Sequence, residues 1–290
     1  MSHFRAIGIQ NQGNPIMGMS VRTNIASMMA AGKLNRTQKG LGSSLQKISS
    51  GMRINRAADD AAGLGVATSL ETAVIGTQQA MRNTNDGISI IQTTESATSE
   101  VTDMLQRMRE LAVQSSSETL ADEERSYIAD EFNQLRSEIA RISSVTEFNG
   151  ISLTDGTTTA LSVQVGIDNN SQSRIDIQLV DLTSTGLGIT SMDLGSVSGA
   201  RAAIDTIDTA LSSVNGARSV LGAVQNRLDS SLNNNQTYME ALSAAEAQIL
   251  DTDFATETSN LTKLQIMQQA GVASLAQAKN INQSVISLLS

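Results

Sequence analysis

Apolar residues recur at alternating steps of three and four along the whole stretch from Ser198 to Leu250. This spacing is typical of a coiled-coil seam, in which one helix faces another at every turn. The apolar seam positions are Ile204, Ile207, Leu211, Val214, Leu221, Leu228, Leu232, Met239, Leu242 and Ile249. Polar residues fill the remaining seam positions, at Arg218, Gln225, Asn235 and Glu246. The stretch therefore predicts one very long helix that needs partner helices.

A second long seam lies in the first half of the chain. Its members are Ala67, Leu70, Val74, Met81, Ile88 and Ile91, followed after a change of phase by Val101, Leu105, Met108 and Ala112. If residues 60–115 form one helix, it is about 80 Å long at about 1.5 Å per residue, longer than a compact domain needs. A third stripe, Ile128 to Ile142, predicts a shorter helix, and Thr119 with Asp122 fits a capping box at its start.

The pattern changes between the long seams. "LSVQVGI" (Leu161–Ile167) and "RIDIQLV" (Arg174–Val180) alternate apolar and polar residues around "DNNSQS". This alternation predicts a small β-hairpin.

Two weaker apolar stripes lie at the ends of the chain. The first includes Val21, Ile25, Met28, Leu34, Leu41, Leu45, Ile48 and Met52, and the second includes Leu261, Leu264, Gly271, Leu275, Ala278, Val285 and Leu289. Gly32, Gly40 and Gly42 interrupt the first stripe, and each costs about 1 kcal/mol relative to Ala in a helix. We therefore expect these end helices to be unstable without a partner.

Composition agrees with a thin, helical molecule, because hydrophobic residues make up 40% of the chain but aromatic residues only 2%, with a single proline. The predicted fold class is mainly α: a long antiparallel coiled-coil-like bundle of the N- and C-terminal segments, with a small β-hairpin region between them. The predicted domains are the two halves of an inner terminal-helix domain (17–56 and 251–290), the two parts of a core helical domain (57–150 and 198–250), and a hairpin and loop region (151–197). Residues 1–16 are interpreted as a disordered extension or a mis-assigned start, with Met17 or Met19 as the real beginning.

Several kinds of chemistry are excluded by residue content. The chain has no cysteine, and its one histidine is His3, so thiol nucleophiles, thiolate metal sites and Ser–His arrangements in the main part of the chain are excluded. We therefore expect no catalytic residues, no cofactor and no metal. A net charge of −9 without clustered lysine or arginine argues against nucleic acid. No apolar run reaches the length of a membrane span, so we expect no membrane insertion, and no secretory signal peptide is recognisable.

Asp59 and Asp60 stand together in the apolar stretch "INRAADDAAGLGVA". Neighbouring residues on a helix point about 100° apart, so the two carboxylates cannot act as a catalytic pair. The favoured interpretation is structural: acidic residues at the start of the long helix interact with its dipole. A contact between subunits with an arginine such as Arg53 or Arg56 is the alternative.

Four long motifs resemble bacterial flagellin, the filament subunit of the flagellum. They are "MSVRTNIASMMAAGKLNRTQKGLGSSLQKISSGMRINRAADDAAGLGVA", "QAMRNTNDGISIIQTTESATSEVTDMLQRMRELAVQ", "RISSVTEFNG" and "LDTDFATETSNLTKLQIMQQAGVASLAQAKNINQSVISLLS". Flagellins usually begin near "VRTN" (Val21–Asn24), and many insert outer domains where this chain has only a short link, so it resembles a minimal flagellin.

The resemblance implies a secreted structural subunit located in the flagellar filament. Its implied partners are other copies of itself, other flagellins, an export chaperone on the C-terminal helix, and cap and hook-associated proteins. It also implies export as an unfolded chain through a type III channel. The end helices are predicted to be disordered in the monomer and to fold on assembly. The predicted polymerisation stripe is Val21, Ile25, Leu34, Leu41, Leu45, Ile48, Leu261, Leu264, Leu275 and Val285.

The resemblance further implies a contact surface for an innate immune receptor for flagellin, formed by Arg107 and Leu111 with Glu131 as a weaker third residue. The alternative interpretation is that Leu111 lies in the core and Arg107 pairs with a neighbouring subunit.

Two other functions are alternatives to that of a filament subunit. A hook–filament junction adapter shares flagellin-like ends, but the match of "RMRELAVQ" and "NINQSVISLLS" to flagellin argues against it. A protease insert with an H-E-x-x-H zinc motif is excluded because the chain has only one histidine.

Overall fold

The computed structural model describes the backbone of residues 23–289 and the side chains as far as residue 280. Its helices are α1 (Ile25–Ser50), α2 (Ala61–Ser115), α3 (Asp122–Val145), α4 (Val197–Leu250) and α5 (Phe254–Leu289). Two short antiparallel hairpins lie between α3 and α4: β1 (Glu147–Phe148) with β2 (Ile151–Ser152), and β3 (Ala160–Gln164) with β4 (Arg174–Gln178). The prediction of a mainly α fold with two very long helices and a central hairpin is confirmed. The interpretation of residues 1–16 lies outside the described residues.

The chain divides into two compact units. The terminal unit includes residues up to Leu64 and from Ile249 onward, and the middle unit is Gly65–Gln248. Sequence placed the first boundary at residue 56, whereas the structure places it eight residues later. The first turn of α2 stays with the terminal unit because Gly63 lies against the buried side chain of Ile54.

In the terminal unit, α1 and α5 pack side by side in opposite directions. Near one end of the pair, the Asn24 side-chain amide donates to the Ala278 carbonyl at 2.8 Å. Near the other end, Met52 and Asp251 form an antiparallel bridge, and the guanidinium of Arg53 donates to the Ile249 carbonyl at 2.7 Å. α1 ends at Gly51, whose φ of 73° is the left-handed conformation that glycine adopts without steric cost.

The seam between α1 and α5 is built mostly from small and polar residues. The positions turned inward follow the three–four spacing: Ser27, Ala30, Leu34, Thr37, Leu41, Ser44 and Ile48 on α1, and Glu257, Leu261, Leu264, Gln268, Gly271, Leu275 and Ala278 on α5. Of these side chains, only that of Ser44 is fully buried. Two helices alone cannot enclose a core, so the pair buries little apolar surface.

Asp59 and Asp60 each accept backbone hydrogen bonds. Asp60 Oδ1 accepts from the amides of Ala62 and Gly63, at 3.1 and 2.9 Å, and therefore caps the N-terminus of α2. Asp59 Oδ2 accepts from the amides of Asn55 and Arg56 and closes the preceding turn. The structural interpretation is confirmed, while the contact between subunits stays a prediction.

The middle unit has its main core where the C-terminal half of α2, α3 and the first half of α4 meet the loop Leu182–Leu194. The buried members are Val101, Leu105, Met108, Leu111, Ala112, Ile128, Phe132, Ile139, Leu182, Leu187, Ile189, Leu194, Ala200, Ala203, Ile207, Ala210 and Val214. A second cluster packs the β3–β4 hairpin against α2 and α4: Ile91, Val163, Val165, Ile175, Ile177, Leu221, Val224 and Leu228. The seams found in the sequence thus supply the core.

Buried threonines follow the inner face of α2. The hydroxyls of Thr84, Thr94, Thr98 and Thr102 donate to the carbonyl four residues earlier, at 2.6–2.8 Å. Each hydroxyl is satisfied within its own helix and needs no polar group on the facing helix. This explains how α2 packs tightly without aromatic residues.

One local prediction for α3 is corrected by the structure. The prediction of a capping box formed by Thr119 and Asp122 is wrong. α3 begins at Asp122 with Ala121 as its N-cap, and the Glu124 carboxylate accepts a hydrogen bond from the Ala121 amide at 3.1 Å. Thr119 instead belongs to a serine-rich turn, where its amide donates to the hydroxyl of Ser117. The residues after α3 also form the hairpin β1–β2, since Asn149 and Gly150 have the positive φ angles of a tight two-residue turn.

Candidate assembly surface

The predicted polymerisation stripe divides into two groups in the structure. Six members lie half-buried in the seam between α1 and α5 of the same chain: Leu34, Leu41, Ile48, Leu261, Leu264 and Leu275. Ile25 and Leu45 are about half exposed and point away from the seam. Val21 and the side chain of Val285 lie outside the described residues. The first group therefore joins the two end helices, and the second is available to another molecule.

In the seam between α1 and α5, a glycine on one helix faces a leucine side chain of the other helix. A Cβ on Gly40 would lie 3.4 Å from Leu264, and one on Gly271 would lie 3.2 Å from Leu34. These glycines let the two helices approach closely, although each reduces intrinsic helix stability. The sequence analysis identified only the loss of helix stability and not the close approach of the two helices.

Large apolar side chains are exposed on the outer faces of both helices. Those with more than half of their surface accessible are Ile25, Met28, Met29, Phe254, Ile266 and Val272. An apolar groove of about 640 Å³ runs along one side of the pair, and its lining includes Met29, Met267 and Ala270. Exposed apolar surface of this kind marks an interaction site.

Basic residues border the same groove. α1 carries Lys33, Arg36, Lys39 and Lys47 and no acidic residue, and Lys33 and Arg36 contribute to the groove lining. Within the described part of the chain, none of these four side chains makes an ion pair. The surface is therefore apolar with a positive border, although the whole chain is acidic.

Asp253 caps the start of α5. Its carboxylate accepts from the amides of Ala255 and Thr256, at 3.0 and 3.3 Å, and from the Thr256 hydroxyl at 2.7 Å. These hydrogen bonds, the one from the hydroxyl first, lower the pKa of Asp253 below its ordinary value. A carboxylate with a lowered pKa stabilises the folded helix above its ordinary pKa, and that stabilisation is lost as the pH falls through the lowered value.

An acid titration tests this cap. We expect Asp253→Ala to weaken filaments relative to the unmodified chain at neutral pH. This difference is expected to shrink as the pH falls below about 4, the ordinary pKa of an aspartate, and to disappear once the pH is below the lowered pKa of Asp253. Light scattering of filaments from pH 6 downward measures the dissociation midpoints. Asp229→Ala, an exposed position on α4, is the control for loss of one acidic charge. A difference that is constant down to the lowest pH would contradict the prediction.

The predicted receptor residues are brought together, but they differ in exposure. Arg107 on α2 donates twice to Glu131 Oε1 on α3, at 2.7 and 2.9 Å, and once to Glu110 at 3.0 Å. Both Arg107 and Glu131 are exposed, and the hydrogen bonds that Arg107 donates to Glu131 and Glu110 raise the pKa of Arg107. Leu111 is buried in the main core, so its side chain cannot contact a partner in this fold. Arg107 finds its acidic partners within its own chain.

Sequence reasoning missed Arg125, the buried arginine of the middle unit. Its side chain is 4% exposed, and its guanidinium donates to the carbonyls of Ser115, Ser117 and Leu120. It thereby satisfies carbonyls at and just beyond the C-terminus of α2. A basic residue in the first turn of a helix is unfavourable for that helix, and this is the signal in the sequence that could have identified it.

The described residues offer no cluster of three or more His, Cys, Asp or Glu side chains placed to hold a metal ion. Among them, no helix is long and apolar enough to cross a bilayer.

Comparison with known proteins identifies the family. Residues 21–159 match the bacterial flagellin N-terminal helical region, and residues 204–289 match the bacterial flagellin C-terminal helical region. A flagellin of Halalkalibacterium halodurans is 44% identical over 88% of this chain and 93% of its own length. The flagellar filament 33 kDa core protein of Treponema phagedenis is 38% identical over 93% of this chain and its whole length. The chain belongs to the bacterial flagellin family.

One similar solved structure is assigned to the flagellar hook-associated proteins of Vibrio parahaemolyticus. It has a TM-score of 0.56 and 16% identity, and the match covers 67% of this chain and all of that one. At this identity the similarity shows a shared fold alone. The two curated relatives described above are a flagellin and a flagellar filament core protein, so the adapter alternative is not favoured.

Proposed function

We propose that this chain is the structural subunit that polymerises into the bacterial flagellar filament, which serves motility. The observation that carries the proposal is the exposed apolar surface on α1 and α5, in a chain whose relatives include a filament core protein. Covering the outer faces of these helices with neighbouring copies removes that surface from water. A contact between different surfaces of successive copies generates a helical filament when the rotation between copies does not close into a ring.

Folding of the end helices is coupled to assembly. The seam of the terminal unit contains serine, threonine, glutamine and glycine among a few leucines, and nearly all of it is only half-buried. Ordering a residue costs about 1–2 kcal/mol in backbone entropy. Two helices packed only against each other bury too little apolar surface to offset this cost. Both helices are therefore expected to be disordered in the free chain and to become ordered when neighbouring copies pack against them.

Amide hydrogen exchange on monomer and then on filament tests this coupling. We expect residues 34–48 and 264–285 to exchange rapidly in the monomer and to be strongly protected in the filament. The main core around Leu105 and Ile207 is the internal control and is protected in both states. Protection of the end helices in the monomer would contradict folding on assembly.

Secretion and the further partners follow from the same proposal. A chain with disordered ends is suited to export unfolded through a narrow channel, with a chaperone on α5 preventing early assembly. Cap and hook-associated proteins and other flagellins would contact the same end helices within the filament. No catalytic role, cofactor, nucleic acid or membrane insertion is part of the proposal, which requires only binding between copies.

The receptor surface is proposed for Arg107 and Glu131 only, since Leu111 is buried. We expect Arg107→Ala and Glu131→Ala each to weaken binding of the monomer to the ectodomain of an innate flagellin receptor by about tenfold. Arg141→Ala is the matched control, because Arg141 forms a comparable exposed ion pair with Glu138 on α3. Equal binding by all three variants and the unmodified chain would exclude this surface.

A further inference from the structure

Three methionines of the terminal unit have strongly exposed side chains. Met28 and Met29 are neighbours on α1, with 68% and 57% of their surfaces accessible, and Met267 on α5 has 41% accessible. Met29 and Met267 line the apolar groove from opposite helices. By contrast, Met108 in the middle unit is fully buried. Methionine is normally among the more buried residues, so this grouping requires an explanation.

Exposure makes these thioethers accessible to peroxide. Hydrogen peroxide transfers one oxygen atom to sulfur: its O–O bond breaks, an S=O bond forms, sulfur loses two electrons, and the remaining oxygen leaves as water. The product is a polar, chiral sulfoxide, which methionine sulfoxide reductases convert back to the thioether. Buried methionines such as Met108 are protected from this reaction as long as the middle unit is folded.

We propose that Met28, Met29 and Met267 form an oxidation-sensitive modification site at which peroxide blocks subunit assembly. The inference rests on the proposed function, in which this groove and the neighbouring face are covered by other copies. A sulfoxide there must give up its hydration when a neighbouring copy packs against it, and burying an unpartnered polar group is unfavourable. Oxidation thereby converts an apolar contact into a polar one, and the addition of new subunits stops.

The state of assembly determines whether the site reacts. In the free chain all three sulfurs are accessible to peroxide. In the filament the neighbouring copy covers them, so existing filaments resist an oxidant dose that inactivates free subunits. The modification therefore acts on growth rather than on filaments already built, and reductase treatment reverses it.

The experiment compares peroxide-treated and untreated monomer. Peptide mapping by mass spectrometry is expected to show sulfoxide at the three positions and an unmodified Met108. The critical concentration for polymerisation, measured by light scattering on filament seeds, is expected to rise by about tenfold or more. Incubation with methionine sulfoxide reductases is expected to restore it to the untreated value.

A triple variant identifies the responsible residues. Met28→Leu/Met29→Leu/Met267→Leu keeps apolar volume but cannot be oxidised at these positions, so its assembly is expected to be insensitive to peroxide. Met52→Leu is the matched control: Met52 is also exposed but lies outside the proposed site, beyond the end of α1, where it pairs with Asp251. This variant keeps all three methionines of the site and is expected to stay sensitive.

The outcomes separate the two proposals. If untreated chains do not polymerise, the proposed function fails. If untreated chains polymerise and oxidised chains do so at the same critical concentration, this inference is wrong. The inference is also wrong if peroxide raises the critical concentration of the triple variant as much as that of the unmodified chain. It is wrong as well if reductase treatment of the oxidised chain does not bring the critical concentration back to the untreated value.

Discussion

A chain that lacks residues 251–290 is expected to form no filaments, while its middle unit stays folded. The deletion removes α5 together with the cap residue Asp253, and it leaves α1 without the helix against which it packs. Leu34 and Leu41 then have no facing helix to pack against. The burial available to α1 alone cannot offset the conformational entropy that is lost when the helix becomes ordered. Electron microscopy and sedimentation are expected to detect no filament even at about ten times the normal critical concentration.

The middle unit supplies the control for this deletion. Its core is formed entirely by residues between Gly65 and Gln248, so the urea unfolding midpoint of the truncated monomer is expected to match that of the full chain. Leu264→Asp in the full-length chain is the matched variant. It places a charge against Gly40 in the seam without shortening the chain, and it is expected to raise the critical concentration strongly. Normal filaments from either variant would refute the role of the end helices.

The long elements were predictable because each is determined by a repeated local pattern. The three–four spacing located α4 to within one residue at its start. The change of phase left open whether residues 60–115 are continuous, and the structure shows that they form the single helix α2. The alternation around "DNNSQS" located the β3–β4 hairpin, although the strands are shorter than the alternating segments. The errors occurred where one or two side chains decide the geometry, as at the start of α3, where Glu124 rather than Thr119 makes the cap.

The candidate surface was only partly predictable. Sequence spacing shows that Leu34 and Leu264 lie on an apolar stripe, but it does not show whether a stripe faces the other end of the same chain or a different molecule. Only the packed structure shows that Gly40 and Gly271 receive leucines within the chain, which leaves Met29 and Met267 uncovered. The sequence pattern thus identified the helices that form the surface. Only the packed structure showed which of their faces are covered within the chain and which stay exposed.

Replacing Arg125 by methionine is expected to destabilise the middle unit by about 3 kcal/mol. Arg125 is 4% exposed, and its guanidinium donates to three backbone carbonyls, of Ser115, Ser117 and Leu120. Methionine fills a similar volume but donates no hydrogen bond, so these carbonyls lose their common partner at the end of α2. The positive charge that opposes the negative end of the α2 dipole is also lost.

Urea unfolding of the monomer, followed by circular dichroism, measures this effect. Arg136→Met is the matched control: Arg136 also lies on α3, but it is only partly buried and donates a single hydrogen bond, to the Thr190 carbonyl at 3.0 Å. Its loss is expected to change the free energy of unfolding by less than about 1 kcal/mol. Arg125→Lys is expected to fall between the two, because an ammonium keeps the charge but cannot reach three separated carbonyls with the fixed geometry of a guanidinium. If Arg125→Met and Arg136→Met unfold at the same urea concentration, the buried arginine does not join α2 to α3 in the way its hydrogen bonds indicate.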